Sequence, residues 1–536
     1  MRKWIPMVIL ASAQFVMTLD SSVMNVSITQ ITADLNTSIQ GVQAAITMYT
    51  LVMAAFMLSG AKLGDIQGRN RIFAIGLAIY GIGSLTTALS PSLPVLLVGW
   101  SGIEGLGAVL VIPAIAALIA ANYEGKDRAL AYALIGGITA VAVAAGPLIG
   151  GFVTTYYSWR WVFAGETVVV IAILLVRGQI ATAPQAENPP RMDFVGAALS
   201  AAGLGLIVFG ILMSSTWGLV SPRAALTIGG TEITPLGFSV VPFLIMGGLA
   251  VLAGFVLWED RRHRLGRDRL VDTTLLRIKQ LRAGLTTLLG QQLVLMGIFF
   301  VIPVYLQVVL GFDAFETGKR LLPLSGAMLV AAMAGPKIAG RRSPRTVAQM
   351  GLVAISVGAI VMLATLDVKL NDAGFKVALV LIGAGAGLLA SQLGNVIMSS
   401  VDASRTSETG GLQGTALNLG ASLGTALIGA VLIVNLINGF NSNIADNPQV
   451  PAQVRESIAA NTEEGIDIVP QAEAEQRATQ KGLPHSQAQA VADSYGDAEL
   501  DALRRSLGAV AAIALLSVWF TRRLPTSAVL AAPENT

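Results

Sequence analysis

Residues 60–71 read GAKLGDIQGRNR, with Lys62, Asp65, Arg69 and Arg71 set close together and spaced by Gly60, Gly64 and Gly68. Apolar residues dominate about two dozen positions before this stretch and nearly as many after it, each run long enough to cross a bilayer. A glycine-punctuated charged turn between two such runs marks a place where a chain leaves lipid and re-enters it. Composition agrees: 54% of the 536 residues are hydrophobic and 12% are charged, where a soluble protein carries about 25% charged residues. So much apolar surface cannot be hidden in a water-soluble core, and lipid is the natural solvent. The 57 glycines suit helices that approach closely in a bilayer.

Windows of about 20 apolar residues define fourteen candidate spans, near 5–31, 41–62, 71–90, 93–121, 128–153, 160–178, 193–214, 239–258, 283–310, 318–339, 346–366, 375–399, 410–438 and 506–521. The first, MRKWIPMVILASA, mimics a signal peptide, but its apolar character continues past the ASA, so it reads as an uncleaved helix. An even number of spans puts both termini on one side. Most of the 35 Lys and Arg fall on that side, Arg2, Lys3, Lys62, Arg69, Arg71, Arg261, Arg262, Arg341, Arg342, Arg522 and Arg523 among them. The positive-inside rule therefore places both termini in the cytoplasm of a cell (inner or plasma) membrane.

Three polar stretches stand out. Segment 438–503, with eleven Asp and Glu against three Lys and Arg, falls outside the cell by this topology and reads as a solvated cap; docking of an extracytoplasmic partner is its alternative use. Segment 215–238 is rich in Gly and Thr, as in a short hairpin. Segment 258–282, WEDRRHRLGRDRLVDTTLLRIKQLR, reads as an amphipathic helix on the inner membrane face.

The opening stretch has a counterpart. GPKIA at 335–339 follows span ten as GAKLG at 60–64 follows span two, and both precede a basic turn. With spans seven and eight as an insertion, the chain divides into a six-helix half (1–192), two inserted helices with an outer hairpin loop (193–258), a cytoplasmic linker (259–282) and a second six-helix half (283–536). Two such halves imply alternating access around a midplane site. The second copy has Gly340 where Asp65 stands in the first, so only one half carries the acid.

Other functions are disfavoured. The absence of cysteine excludes disulfides, thiol catalysis and Cys-type metal sites. His263 and His485 lie in polar segments, which argues against a His-based metal site. No nucleophile–base cluster or cofactor motif is visible, and a net charge of +3 does not point to nucleic acid. The expectation is a protein that is not an enzyme, with no metal and no cofactor, whose partners are membrane lipid, protons and a small-molecule substrate.

At the level of motifs the chain resembles the major facilitator superfamily, in its fourteen-span drug:proton antiporter branch. The family's cytoplasmic loop motif, roughly G-G-R-L-G-D-R-x-G-R-[RK]-[RK], is matched at Gly60, Gly64, Asp65, Gly68 and Arg69, with Ala61 and Ile66 as departures. The resemblance implies that Asp65, Gly68 and Arg69 form a conformational latch on the cytoplasmic side. LDSSVMNVSITQI, 19–31, resembles the first-helix motif L-D-x-T-[IV]-V-N-V-A-L-P-x-I, with Ser22 for Thr and Thr29 for Pro. A carboxylate in a membrane span is a functional residue by default, which makes Asp20 a proton carrier. At about 100° per residue, Gln14, Thr18, Ser21, Ser22 and Asn25 form one polar stripe, and Asp20 lies roughly 120° off it, towards a neighbouring helix.

AVAVAAGPLIGGF, 140–152, matches the fifth-helix antiporter motif G-x-x-x-G-P-x-x-G-G at Gly146, Pro147, Gly150 and Gly151, with Ala142 at the first glycine position. In the family this motif marks exporters. Pro147 bends the helix, and the small residues permit close packing. WRWVF, 159–163, is a further branch-like feature whose Trp159 and Trp161 suit an interfacial belt. Two departures add acids. The fourth-helix motif R-x-x-Q-G-x-G-A is here SGIEGLGA, with Ser101 for Arg and Glu104 for Gln, and the Asn expected after WRW is Glu166. Helical rise puts Asp20 and Glu166 each about 9 Å, and Glu104 about 16 Å, below the outer surface of a 30 Å core. Asp20, Glu104 and Glu166 are therefore the expected proton-coupling groups, neutralised by protons or by a cationic substrate. Polar candidates for the substrate cavity are Asn25, Gln291, Gln292, Tyr305, Gln392, Asn395 and Asn418. The expected fold is an all-α, major-facilitator-type bundle of two six-helix halves plus two extra central helices. The expected function is proton-coupled export of amphipathic, cationic or neutral compounds such as drugs. The alternatives are an exporter of one endogenous lipid or metabolite and, further off, a membrane receptor or lipid-handling scaffold.

Overall fold

The charged turn is where two helices meet. Gly68 takes φ +90°, a left-handed conformation that glycine adopts without strain, and ends one helix at Gln67 as the next begins at Arg69. The structure, a computed structural model, describes residues 2–181, 190–224, 226–228, 231–339, 341–401, 405–463 and 466–526. Fourteen of its helices are long and apolar enough to cross a membrane. They are α1 (Ile5–Val26), α2 (Ile39–Gln67), α3 (Arg69–Ala88), α4 (Leu93–Asn122), α5 (Gly125–Tyr156), α6 (Arg160–Val176), α7 (Phe194–Trp217), α8 (Val241–Arg264), α9 (Lys279–Val309), α10 (Ala314–Ala339), α11 (Pro344–Thr365), α12 (Asp372–Met398), α13 (Thr406–Asp446) and α14 (His485–Phe520).

Local sequence sets many of the ends. Ser38, Asp193, Ser343 and Asn371 each accept a hydrogen bond from a first-turn N–H, and Pro344 follows Ser343 at the first helical position. Two spans contain π-helical stretches, Leu97–Glu104 in α4 and Tyr305–Val309 in α9. A π turn inserts an extra residue and re-aims the side chains around it, a device common at functional sites.

The halves meet along two seams. In one, α5 packs on α10: an added Cβ on Gly318 would run into the backbone of Pro147, and one on Gly151 into that of Ala314. In the other, α2 packs on α13, where Gln43 donates to the Thr425 carbonyl at 2.8 Å and Ser422 to that of Thr47 at 3.0 Å. The inserted pair α7/α8 lies against this second seam: Leu204 and Val208 of α7 and Leu252 of α8 cluster with Leu51 of α2 and Leu419 and Leu423 of α13. On the side opposite the termini the halves are clasped. The Thr29 hydroxyl donates to Gln307 Oε1 at 2.6 Å, Gln307 Nε2 donates to the Val26 carbonyl at 2.9 Å, and the Phe315 N–H donates to Thr155 Oγ1 at 3.0 Å.

Segment 438–503 is built mostly from helix. α13 and α14 run on past their apolar stretches, and helices Ala452–Glu463 and Gln471–Gln480 lie between them. The expected hairpin in 215–238 is a pair of three-residue antiparallel strands, β1 (Leu226–Ile228) and β2 (Thr231–Ile233).

The linker differs from expectation. Residues 258–282 do not form one amphipathic helix on the membrane face. α8 ends at Arg264, Gly266 takes φ +63°, and only a short 3-10 turn, Thr273–Arg277, precedes α9. The apolar residues of the linker, Leu270, Val271 and Leu275, are buried in the protein. Nearby donors and bases hold several acids in and beside it. Asp193 accepts from Trp258 Nε1 at 2.9 Å and pairs with Arg262 at 3.1 Å; Glu259 accepts from the Leu270 N–H at 3.1 Å; Asp272 pairs with Arg269 at 2.9 Å and with Arg405 at 3.4 Å. Gly340, the counterpart of Asp65, lies outside the described residues.

Candidate functional site: a carboxylate trio inside the first half

Asp20, Glu104 and Glu166 come from α1, α4 and α6, yet one carboxylate oxygen of each lies within 4.8 Å of one from each of the other two, and all three residues are buried, at 0%, 0% and 3% exposure. The helix geometry explains the convergence. Asp20 points away from the polar stripe of α1, the π stretch of α4 ends on Glu104, and Gly83 of α3 lets α4 approach so closely that an added Cβ would stand 2.5 Å from the Glu104 nitrogen. Trp100, in the same π stretch, donates its indole N–H to Asp20 Oδ1 at 2.8 Å and stacks on Tyr49 with ring centroids 4.6 Å apart. From α3, the Tyr80 and Ser84 hydroxyls donate to Glu166 Oε2 at 3.2 and 3.0 Å. Among the described residues no well-formed hydrogen bond reaches Asp20 Oδ2, either oxygen of Glu104 or Glu166 Oε1, and all four atoms are buried.

The trio cannot carry three charges at little cost. Two like charges at this spacing repel by about 3 kcal/mol even at an effective dielectric of about 20, and each also loses hydration. Adding one proton removes two of the three repulsions. The arrangement can hold and release protons, and its three oxygens also have a spacing that one small cation can bridge. The arginine that the family pattern places in this helix is Ser101, whose hydroxyl donates to the Ala45 carbonyl at 2.8 Å. No described salt bridge involves a member of the trio.

The remaining residues fall into three groups. Arg69 reaches back to Asp65 across Gly68, so the proposed latch residues pair within their own turn. Gly146 and Gly150 are where α5 meets α1: an added Cβ would strike Ser22 and Val23 respectively, while Gly151 and Pro147 face α10. Among the described residues no hydrogen bond joins one cavity candidate to another. Asn25 and Asn418 donate to carbonyls of their own helices, Ser21 at 2.8 Å and Gly414 at 2.9 Å. Tyr305 is buried and donates to the Asp367 carbonyl at 2.6 Å, which makes it a packing group between α9 and the loop after α11. Gln392 donates to Ser391 Oγ at 3.1 Å, Gln291 is buried with Oε1 unpartnered, Gln292 lies beside Gly420, and Asn395 is exposed. Trp159 is not in a lipid belt: it is fully buried and, with Arg160, donates to Asp34 Oδ2, whereas Trp161 is 65% exposed.

Sequence reading missed Tyr49, Tyr80, Ser84, Trp100, Gln43 and Gln307. Each is a polar or amphipathic side chain inside an apolar span, the one signal that marks them; which neighbour each reaches depends on tertiary packing.

Two clasped six-helix halves with an inserted pair define a class, that of polytopic membrane proteins with a transporter architecture. The chain belongs to the Major Facilitator Superfamily, whose profile matches residues 10–193 and 194–425, and its fourteen spans fit the fourteen-span branch. It is 26% identical over 469 residues to a probable actinorhodin transporter of Streptomyces coelicolor, covering 86% of this chain and 77% of that one. It is likewise 26% identical to the multidrug efflux pump LfrA of Mycolicibacterium smegmatis, over 87% of this chain and 88% of that one. Among solved structures it resembles a bacterial homolog of the human lysosomal transporter Spinster, crystallised inward-facing and unoccupied, with a TM-score of 0.61 at 15% identity over 98% of both chains.

Proposed function

We propose that this protein is a proton-coupled exporter of amphipathic, cationic or neutral small molecules, working by alternating access between its halves, 1–192 and 283–536. The observation that carries the reading is the buried carboxylate trio of Asp20, Glu104 and Glu166. Protons entering from outside load the trio, substrate leaves outward, and the return state releases the protons inward. Asp65, Gly68 and Arg69 act as the inner latch, with both termini in the cytoplasm. The names of the relatives, an efflux pump and an antibiotic transporter, support export. Family and fold support transport as opposed to catalysis. Transport of an amphipathic cation into proteoliposomes with an imposed pH gradient tests the proposal. The parent should move substrate against its gradient, and Glu104→Gln should lose that coupling by about 100-fold or more, the scale of removing one proton-transfer group. Full coupling in Glu104→Gln would remove the role assigned to it. One specific observation favours a second reading: the trio's spacing suits a bound metal cation as well as protons. A sodium gradient that drives transport with the pH gradient collapsed would select it.

A further inference from the structure

A groove of about 600 Å³ runs between α1, α5 and α6, and every residue that lines it belongs to the first half. Along α1 its lining runs from Val8 through Phe15 and Val16 to Leu19, a length of about 16 Å at helical rise. Val8 and Trp161 on its rim are 63% and 65% exposed, as lipid-facing residues of a span are. On α6, Gly165 also lines the groove; a Cβ there would meet nothing within 4 Å.

Among the described residues the one ionisable side chain lining this apolar groove is Glu166, buried to 3% exposure and with Oε1 meeting no hydrogen-bond donor. The groove thus reaches one member of the carboxylate trio, Glu166, from the lipid side. At 100° per residue, α1 presents three different faces: the groove residues on one, Asp20 about 110° away, and the stripe of Gln14, Thr18, Ser21, Ser22 and Asn25 a similar angle the other way.

We propose that this groove is a binding site for lipophilic cations dissolved in the membrane, with Glu166 as the counter-charge at its inner wall. An apolar trough of this length with a single buried acid is complementary to an alkyl chain bearing an ammonium group. A neutral or anionic lipid would fill the trough but leave the carboxylate unmatched. The site gives a membrane-dissolved substrate a route to the trio that bypasses the space between the halves. It rests on the export reading for its purpose, though not for its test.

The test is equilibrium binding without any gradient, in phosphatidylcholine nanodiscs, with dodecyltrimethylammonium brominated on its chain as a quencher of Trp161 fluorescence. Quenching should have a saturable part, and that part should vanish in Trp161→Phe, leaving the non-saturable quenching of other exposed tryptophans such as Trp519. Glu166→Gln should weaken it by about tenfold or more, the scale of losing a desolvated charge partner. Gly165→Leu, which fills the groove, should weaken it similarly, with Val169→Phe as a second blocking variant if the first misfolds. Brominated dodecanol of the same length should bind more weakly and ignore Glu166→Gln. Quenching that rises without saturation, or is unchanged in Trp161→Phe, would reduce the effect to bilayer partitioning. Quenching by brominated phosphatidylcholine that the cation fails to displace would make the groove a lipid seat. Unchanged binding in Glu166→Gln would also overturn the proposal. A parent that binds the cation saturably but moves no protons retires the export reading and leaves the groove standing.

Discussion

At the scale of single residues, the decisive groups are carboxyls, and their neighbours separate their roles. Among the described residues no well-formed hydrogen bond reaches Glu104, whereas Asp20 has an indole donor and Glu166 has two hydroxyl donors. The same residue type in another setting is structural. Asp272 lies outside the spans, where burial alone would push its carboxyl up. The Thr274 hydroxyl and N–H, at 2.6 and 2.9 Å, together with Arg269 and Arg405, outweigh burial and hold it below the usual carboxylate value. A depressed native value stabilises above the unfolded value, near pH 4, and that stability is lost as pH falls through the native one. Asp272→Asn should therefore cost about 1 kcal/mol at neutral pH and nothing once the parent's Asp272 is itself protonated. Thermal melts of both proteins from pH 7 downward check this; a difference that persists undiminished in acid would contradict it.

At the scale of elements, close approach decides. Gly83 lets α3 meet the π stretch of α4, whereas Gly205 in α7 has open space around it. Gly83→Ala should destabilise by about 1–3 kcal/mol through overpacking. Gly205→Ala should be neutral or stabilise by about 0.5–1 kcal/mol as a helix residue. Denaturation midpoints in one detergent measure both, and equal effects would show that the α3–α4 contact is not tight. This scale also shows how far the sequence could be read. Fourteen spans, the 226–233 hairpin and the helix at QAEAEQRATQ follow from hydropathy and turn chemistry, which are local. The linker did not follow, because its charges read as a surface face until Asp193, Glu259 and Asp272 were seen to hold it inside. The acids were visible as residues out of place in lipid, and the turn of Asp20 away from the polar stripe could be read from helical spacing. Their meeting could not, since the π stretch in α4 shifts the register that spacing assumes. Nor did spacing distinguish Tyr305, bonded to the Asp367 carbonyl, from a cavity ligand.

At the scale of the whole molecule, the inserted helices cover one of the two seams between the halves, and hydrogen bonds clasp the end opposite the termini. Alternating access requires that clasp to open. The natural chain contains no cysteine, so Thr29→Cys with Gln307→Cys can be bridged selectively by a short methanethiosulfonate linker. Bridging should stop export and reduction should restore it; unimpaired export by fully bridged protein would mean that this contact does not open. In the proposed mechanism the buried acids couple protons to substrate. Substrate-dependent proton movement in proteoliposomes, followed by an internal pH probe for the parent and Asp20→Asn, tests it most directly. Proton flux should follow addition of an amphipathic cation to the parent and fall by about 100-fold or more in Asp20→Asn. Concentrative transport that is indifferent to the pH gradient, or unchanged proton flux in Asp20→Asn, would contradict it.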